Sequence, residues 1–577
     1  MEDIKKLILL LPQNLKRKFI SLFFFMVFLA FLEIISIGAV VPVVGILIDP
    51  SFVAENQTLQ NIFDYFHITN VQNYIYFALS ILLFCYFFKS IFVVVLSYLK
   101  TKLAMDSQVD LSSNLLEFYI RQDYEEYTRR GSYVLINNIL KEIPSLIDGV
   151  IVPFFTILIE AITFVFILSF LLIYEPQGTS VIFLIVLVYS TIYFLMFSNK
   201  TKAHGKIRQE NEEKSNSQIV QSINGMKEIK LWNKENFFLN KYRFNLMKVA
   251  RAKTIQGVYG ELPRALTEVV GITLICILSV LLILYGTDFS NIIISLGFFA
   301  AAGFRLMPSI NRVMGAIHLI KFYYPTVKVI SNEFNKAKNL SNSYKRNKNF
   351  FTDFSKITFK NVSFNYQANK NHIFNNLNLE INNGDFVGIL GKSGSGKSTF
   401  IDLLTSLLDP VSGKILIDNK DLKQIKDEWK SLIGYVTQSV FISDTTLKQN
   451  IAFTSEDNEV DKISLDNSIK QAQIYEFLDT LPNGIESHVG EKGLKLSGGQ
   501  IQRVAIARCL YKKSKILIFD ESTNALDLET ENKILETIFS LKGKRTIFMI
   551  SHKINSLRFC NRILKIENNN ILESKNN

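Results

Sequence analysis

The chain has 577 residues, of which 48% are hydrophobic, 12% aromatic and only 20% charged. Six stretches of ~20 apolar residues, each able to cross a hydrocarbon core ~30 Å thick, would produce such an average. At ~150 residues per domain the chain holds more than one folding unit, and its composition argues against a wholly soluble enzyme.

The net charge of +12 is unevenly distributed. Residues 351–577 hold 29 Lys and Arg against 27 Asp and Glu, so residues 1–350 hold 35 against 25 and carry nearly all of the excess. Because the basic excess belongs to the apolar half, it indicates charges that flank membrane spans and argues against nucleic acid as a partner.

Apolar runs of spanning length lie in the first 335 residues, which we assign to a transmembrane domain. We expect six spans, at about residues 19–47, 74–99, 151–174, 181–197, 267–285 and 292–314. The two long connections, 100–149 and 198–266, have helical periodicity without an apolar run. Each is interrupted by a polar break, around Gln122–Gly131 and Asn224–Asn236, so we expect helical extensions that end in short helices.

The loops orient this domain. The connections expected outside contain no Lys or Arg, whereas the N-terminus and the two long connections are rich in both. By the positive-inside rule both termini, and with them the C-terminal domain, are cytoplasmic.

The first outer loop predicts a short helix with one apolar face. Leu59, Ile62, Phe63 and Phe66 fall at i, i+3, i+4 and i+7. Such a helix either packs on the spans or lies at the outer membrane surface, and the first alternative is favoured.

Charged residues inside the predicted spans are the first candidates for a cargo site. An ionised group facing lipid costs at least ~2.5 kcal/mol, so such residues normally face the bundle interior or a cavity. Glu33 and Glu160 could pair with the bases in a purely structural role. Basic residues outnumber acidic ones in these spans, and Arg donors suit phosphate oxygens. We therefore favour a basic inner surface that receives an anionic head group. Its candidates are Lys89, Arg264, Arg305 and Arg312.

After a polar linker at 336–350, residues 351–577 alternate short strand patterns with helical ones, as expected for an α/β domain. The apolar strand 387–390 is followed at once by a glycine-rich loop and a helical segment. This is the context of a phosphate-binding loop, in which Lys397 reaches the β- and γ-phosphates and the Ser398 hydroxyl binds Mg²⁺. The loop comprises Gly391, Lys392, Ser393, Gly394, Ser395, Gly396, Lys397 and Ser398.

A second apolar strand, 516–519, ends in two acids. Asp520 can hold the Mg²⁺ shell, and Glu521 can polarise the attacking water as a general base. Ahead of this strand an apparent helix, 501–510, begins after a segment whose hydroxyl and amides make a second anion site. That segment is Ser497, Gly498, Gly499 and Gln500.

With two phosphate-binding devices in one domain, the chain resembles the ATP-binding cassette (ABC) family over essentially its whole length. The resemblance implies an exporter-type half-transporter, that is, a six-span helical bundle fused to a cytoplasmic α/β ATPase domain with ATP and Mg²⁺ as cofactors. It also implies a homodimer with two equivalent ATP sites, in which residues 497–500 of one subunit cap the nucleotide held by the other.

The resemblance assigns further residues. Tyr366 corresponds to the aromatic residue that stacks on adenine, Thr399 follows the phosphate loop in the ATP site, and Gln438 corresponds to a glutamine that reaches Mg²⁺. Asp527 ends the segment that usually begins with Ser but here begins with Asn524. His552 corresponds to the histidine that contacts the γ-phosphate and is preceded by Ser551 where Ala is more usual.

A finer resemblance concerns the cargo. The segments 31–33, 263–264 and 304–312 and the position of Lys89 resemble bacterial flippases of lipid-linked oligosaccharides. This implies a polyprenyl-diphosphate glycan as substrate, moved to the outer leaflet of the inner membrane for protein glycosylation or surface-glycan assembly. The alternatives are a lipid or multidrug exporter, for which an aromatic-lined cavity is expected, and an ABC protein that uses ATP as a regulatory switch.

Overall fold

A computed structural model describes residues 13–48, 53, 57–68, 70–174, 176–284, 289–341, 353–366, 372–454, 456–551, 553, 557–567 and 569–575. The chain divides at about residue 345 into two compact units, except that residues 123–125 group with the second. The first unit is helical and the second contains the sheets.

The helical unit consists of long helices joined by short ones. The helices are α1 (Gln13–Gly38), α2 (Val40–Ile48), α3 (Gln57–Tyr65), α4 (Val71–Arg121), α5 (Tyr124–Arg130), α6 (Ser132–Asn137), α7 (Ile143–Leu146), α8 (Val152–Tyr174), α9 (Pro176–Asn224), α10 (Met226–Leu231), α11 (Glu235–Leu284) and α12 (Phe289–Ser341). Two π-helical turns, Asn138–Glu142 and Ile147–Ile151, flank α7.

Four stretches of the described helices are long and apolar enough to cross a membrane. They are Ile20–Gly38, Gln72–Arg121, Ser132–Ile173 and Phe183–Asn224. The last two predicted spans, 267–285 and 292–314, correspond to parts of α11 and α12 and are not among these four stretches. The count of six spans therefore stays a prediction.

The predicted helical extensions and their breaks are confirmed. With 51 residues α4 is about 77 Å long, far more than a hydrocarbon core requires. The short α5 follows α4, and the short α10 separates α9 from α11. The last helix continues to Ser341, into the segment 336–350 assigned to a linker, because residues 336–341 contain no Pro or Gly to end it.

The outer-loop helix α3 packs on α4, as favoured from its pattern. The Phe63 side chain is buried, with its ring centroid 4.4 Å from that of Tyr74 and 5.9 Å from that of Phe77. The same helix leaves Ile62 and Tyr65 exposed. One face of α3 therefore anchors it to the bundle while other apolar side chains stay uncovered.

Helices α9 and α12 approach each other closely at Gly205. A Cβ atom built on this glycine would lie 2.0 Å from the carbonyl oxygen of Phe322. Only a residue without a side chain fits this contact.

The second unit contains two sheets. The strands are β1 (Lys356–Phe364), β2 (Phe374–Asn382), β3 (Phe386–Leu390), β4 (Ser412–Ile417), β5 (Lys420–Asp421), β6 (Ile433–Val436), β7 (Ile516–Asp520), β8 (Thr546–Ile550), β9 (Arg562–Glu567) and β10 (Asn570–Lys575). An antiparallel sheet has the order β2-β1-β4-β5, and a six-stranded sheet has the order β10-β9-β3-β8-β7-β6, parallel from β9 to β6.

Helices cover these sheets and bury their apolar faces. They are α13 (Lys397–Leu404), α14 (Lys426–Ser431), α15 (Leu447–Ala452), α16 (Lys462–Gln471), α17 (Tyr475–Leu478), α18 (Gly498–Tyr511) and α19 (Leu528–Phe539). Strands β3 and β7 lie on either side of β8, so the segments that follow them emerge at the same carboxyl edge of the sheet. In parallel sheets this edge is where ligands bind.

Replacing Gly205 by Ala is expected to lower the thermal stability of the helical unit. The added methyl group would force α9 and α12 apart, which costs about 1–3 kcal/mol. Gly257→Ala is the matched control, because a Cβ at Gly257 meets nothing within 4 Å. Thermal unfolding in detergent should show a lower midpoint for Gly205→Ala only, and equal midpoints for the two variants would contradict the close contact.

Candidate functional site

The predicted phosphate loop lies between β3 and α13, in the strand–loop–helix context that its sequence indicates. Gly396 has φ of +105°, and a Cβ there would lie 2.8 Å from the Ile373 side chain. A Cβ on Gly391 would lie 2.5 Å from the Ser395 hydroxyl oxygen. Side chains at these positions would obstruct the loop, so the glycines keep it tight. Lys392, Ser393 and Gly394 form its exposed rim.

Lys397 lies folded over this loop. Its Nζ donates to the carbonyl oxygens of Gly391 at 2.8 Å and Lys392 at 3.2 Å. The Ser395 hydroxyl is buried and has no hydrogen-bond partner within the described residues. A positive charge at the loop centre and an unsatisfied hydroxyl in its wall are features that phosphate oxygens would complete. Ser398 follows in the first turn of α13, with its side chain exposed.

The end of β7 contributes two adjacent carboxylates. Asp520 is buried and accepts a hydrogen bond from the Tyr435 hydroxyl at 3.1 Å. Burial raises the pKa of Asp520, opposed by the Tyr435 hydrogen bond and reinforced by the charge of Glu521. Burial, and then the charge of Asp520, raise the pKa of Asp402 in α13 to about 6. This concentration of carboxylates favours the binding of a cation at the end of β7.

Glu521 is held by two amides. Its Oε2 accepts from Gln438 Nε2 at 3.0 Å and from Asn524 Nδ2 at 3.2 Å. Its backbone has φ of +48°, a left-handed conformation that is strained for a glutamate and is often retained at functional sites. Gln438 and Glu521, predicted from separate segments, are thus in direct contact.

The donor set fits Mg²⁺. Carboxylate, amide and hydroxyl oxygens are the ligands this cation prefers, and they are supplied by Asp520, Gln438 and Ser398. The charge of Lys397 also acts on Asp520, so the phosphate loop and the end of β7 belong to one electrostatic site.

Tyr366, just beyond β1, presents a partly exposed ring beside the phosphate loop helix. Its relative exposure is 37%, and its hydroxyl lies 3.3 Å from the hydroxyl of buried Thr399. An aromatic face in this position is available for stacking.

The segment 497–500 begins α18 as predicted. The Ser497 hydroxyl accepts a hydrogen bond from the backbone amide of Gln500 at 3.3 Å. In return, Gln500 Oε1 accepts one from the backbone amide of Ser497 at 2.8 Å. This capping box leaves Gly498 and Gly499 in the first turn of a 14-residue helix, at its positive end.

Asp527 caps the next helix, α19. Its Oδ2 accepts from the Thr530 amide at 2.9 Å, and the hydrogen bonds from Thr530 lower the pKa of Asp527. His552 lies outside the described residues, so its predicted contact with the γ-phosphate stays a prediction.

A separate charged cavity of about 460 Å³ lies in the helical unit, between α1, α4, α8 and α12. It is lined by two of the predicted cargo residues, Lys89 and Arg312, and by both intramembrane acids. Lys89 Nζ lies 3.3 Å from Glu33 Oε2, and Arg312 Nε lies 2.5 Å from Glu160 Oε1. The structural pairing weighed from the sequence is therefore present in this cavity.

Arg264, a third predicted cargo residue, is not among the described residues that line the charged cavity. Arg264 has an exposed side chain 3.8 Å from Glu268, and Arg305 has a side chain outside the described residues. Sequence reasoning missed Lys100 and Tyr86, which do line it. Lys100 was read as the start of a connection, although it follows Lys89 by eleven residues, three helical turns, and so shares its face of α4.

A second cavity, of about 380 Å³, lies between α8, α9 and α12 and is mainly apolar. Among the described residues that line it are five Phe and Tyr side chains: Phe164, Phe183, Tyr193, Phe194 and Phe197. Glu160 lines both this aromatic cavity and the charged one.

Comparison with known proteins places both units in one family. Residues 23–304 match the ABC transporter transmembrane region, and residues 374–524 match the ABC transporter family. The "Putative export ATP-binding/permease protein RP696" of Rickettsia prowazekii (strain Madrid E) is 31% identical over 510 residues, covering 86% of this chain and 85% of that protein. The "Putative multidrug export ATP-binding/permease protein YgaD" of Bacillus subtilis (strain 168) is 38% identical over 218 residues, covering 38% of this chain and only 37% of that protein.

Among solved structures, a bacterial Atm1-family ABC exporter with ATP bound superposes with a TM-score of 0.78. The match covers 98% of this chain and 96% of that one, at 20% sequence identity, and so bears on the fold alone. The predicted fold class, a membrane helical domain fused to an α/β ATPase domain, is confirmed. The chain belongs to the ABC transporter family, as an exporter-type half-transporter that couples ATP hydrolysis to transport.

Proposed function

We propose that this exporter is a flippase that moves a polyprenyl-diphosphate-linked oligosaccharide from the cytoplasmic to the outer leaflet of the inner membrane, for protein glycosylation or surface-glycan assembly. The observation that carries the proposal is the charged cavity. Three cationic side chains, Lys89, Lys100 and Arg312, converge among helices otherwise suited to an apolar membrane interior. Cations in such a place suit a cargo whose head group is anionic.

The head group and the tail of such a lipid call for different surroundings. Lys and Arg donors suit the oxygens of a diphosphate, whereas a polyprenyl chain prefers apolar surroundings. The aromatic cavity adjoins the charged one through Glu160. A cargo with both a charged and an apolar part is consistent with this pair of cavities.

The ATP site supports hydrolysis at the edge of the six-stranded sheet. Lys397 and the loop amides would bind the phosphates, while Tyr366 stacks on the base. Mg²⁺, held by Ser398, Gln438 and Asp520, would offset the charge of the phosphate oxygens.

Glu521 is proposed as the general base. The amides of Gln438 and Asn524 hold its carboxylate in one orientation, so it can accept a proton from an attacking water. Gln438 contacts the proposed general base Glu521 and would also ligate Mg²⁺. Binding or release of the nucleotide would therefore change the position of Gln438. His552 is proposed to contact the γ-phosphate.

We further propose a homodimer. The segment 497–500 carries anion-binding features but begins a different helix from the phosphate loop. In a symmetric pair it would cap the nucleotide of the partner subunit, giving two equivalent sites. Both termini and the ATPase domain would be cytoplasmic, consistent with the basic connections on that side.

The aromatic cavity favours a second candidate, a lipid or multidrug exporter of the same architecture. Such a cargo needs apolar contacts and no phosphate, and five aromatic side chains supply them. A purely regulatory ABC protein is disfavoured, because a transmembrane family model matches residues 23–304.

ATPase activity is expected to disappear in Lys397→Ala and to fall by about 10²–10⁴-fold in Glu521→Gln, which removes the proposed base. The second variant should still bind ATP and accumulate as an ATP-bound dimer. Glu529→Gln, at an exposed glutamate of α19, is the matched control and should hydrolyse ATP normally. Phosphate release and size-exclusion chromatography measure these outcomes, and normal turnover in Glu521→Gln would refute the assignment of the base.

Cargo identity is tested by flipping of a fluorescent lipid-linked oligosaccharide in liposomes. The double variant Glu160→Gln with Arg312→Met removes one cavity cation without leaving a carboxylate buried alone, which would cost about 3–5 kcal/mol. We expect its ATP-dependent flipping to fall at least tenfold, while Arg251→Met, at an exposed arginine of α11, keeps wild-type flipping. Undiminished flipping in the double variant would refute the role of Arg312 in cargo binding, whereas transport by wild-type protein of neutral amphiphiles only would favour the second candidate.

A further inference from the structure

The charged cavity has an unequal number of positive and negative groups. Among the described residues it is lined by three cations, Lys89, Lys100 and Arg312, and by two carboxylates, Glu33 and Glu160. Both carboxylates are deeply buried, at 2% and 5% relative exposure. The described part of the lining therefore has one more cation than it has carboxylates.

Two of the three cations already have counterions. Lys89 is paired with Glu33 and also lies over the ring of Tyr86, with its Nζ 4.3 Å from the centroid. Arg312 is paired with Glu160, whose other oxygen accepts a hydrogen bond from the Ser309 hydroxyl. An anion that bound Lys89 or Arg312 alone would have to compete with these buried carboxylates.

Lys100 is different. Within the described part of the chain no carboxylate oxygen lies within 4 Å of its Nζ, although Glu160 and Arg312 line the same cavity. Its side chain is partly buried at the cavity wall. Among the described residues that line the cavity, Lys100 is thus the cation without a paired carboxylate, and it shares the cavity with Arg312 and Glu160.

The positions along α4 separate two levels in the cavity. Lys89 and Lys100 share one helix face but are about 16 Å apart along the axis. Counting the described residues, the level of Lys89 and Glu33 is neutral, whereas the level of Lys100, Arg312 and Glu160 has a net charge of +1. By the orientation expected from the loops, this second level is nearer the cytoplasm, the side from which the cargo starts.

We propose that Lys100 binds the phosphate head group of the cargo lipid, with the Arg312 guanidinium beside it. The inference rests on the proposed function and adds the residue that captures the anion. A phosphate at Lys100 supplies the missing negative charge without breaking either existing pair. Arg312 uses only Nε on Glu160 among the described residues and its side chain is 47% exposed, so its terminal nitrogens can donate to the same phosphate.

The test compares Lys100→Met with Lys102→Met in proteoliposomes of phosphatidylcholine. Lys102 lies two residues further along α4 with an exposed side chain over Tyr98, and does not line the cavity. Polyprenyl diphosphate is titrated, and the concentration that half-maximally stimulates ATPase activity is measured. We expect Lys100→Met to raise this concentration at least tenfold, Lys102→Met to leave it unchanged, and Lys100→Arg to restore it largely.

Two comparison ligands identify the source of the phosphate. Inorganic pyrophosphate tests the free anion, and uncharged polyprenol tests the tail alone. Stimulation by the diphosphate lipid, and by neither comparison ligand, is expected. Full stimulation by pyrophosphate alone would overturn the assignment to a lipid.

The remaining outcomes separate the two proposals. If wild-type protein responds to the diphosphate lipid and Lys100→Met responds at the same concentration, the role of Lys100 is refuted while the proposed function stands. If wild-type protein responds to polyprenol as well as to the diphosphate lipid, both fail. Thermal unfolding of Lys100→Met and Lys100→Arg verifies that each variant is folded.

Discussion

The burial of the Glu160 carboxylate is the constraint on which the helical unit depends. Burying a carboxylate to 5% exposure in an apolar bundle is costly unless it is paired, and Arg312 and Ser309 of α12 supply the partners. These contacts tie α8 to α12 at a fixed register. Glu33 and Lys89 do the same for α1 and α4, so two ion pairs determine which helix faces enclose the cavity.

The same requirement accounts for the character of the cavity. Buried ion pairs add little net stability compared with apolar packing, so their presence is better explained by what they bind or specify. With Lys100 as a third cation, the paired groups hold a positively charged space inside an apolar bundle. The adjacent aromatic cavity is its apolar counterpart, and Glu160 belongs to both.

In the ATPase domain, charge is concentrated for a similar reason. Asp520 and Glu521 are neighbours, and the pKa of Asp402 is raised by burial and then by the charge of Asp520. The strained backbone of Glu521 and the two amides on its carboxylate hold it in one orientation. Such an arrangement is costly for the protein alone and becomes favourable when a cation and phosphates complete it.

How far the sequence predicts each site depends on how local its determinants are. The phosphate loop was predicted residue by residue, because glycine spacing and a strand before a helix are local features. The sequence indicates Glu33 and Glu160 as possible partners of the basic residues, but not which acid pairs with Lys89 and which with Arg312, since that depends on packing between helices distant in sequence. Lys100 escapes prediction because it begins the polar stretch after an apolar run, and the cargo role of Arg264, whose side chain is exposed, stays a prediction.

Helix ends and helix contacts can likewise be predicted only where their determinants are local. The predicted breaks near α5 and α10 follow from local polar composition, and the structure has them. The close contact of α9 with α12 at Gly205 cannot be predicted in this way. The only local signal is a glycine, and the contact depends on where the neighbouring helix lies.

The central claim is that the charged cavity takes the phosphate of an anionic lipid. A cryo-EM structure of the protein in nanodiscs containing polyprenyl diphosphate tests it most directly. The account predicts phosphate density at hydrogen-bond distance, ~2.7–2.9 Å, from Lys100 Nζ and a terminal nitrogen of Arg312, with both existing ion pairs intact. Lipid density confined to the aromatic cavity, with no density at Lys100, would contradict it.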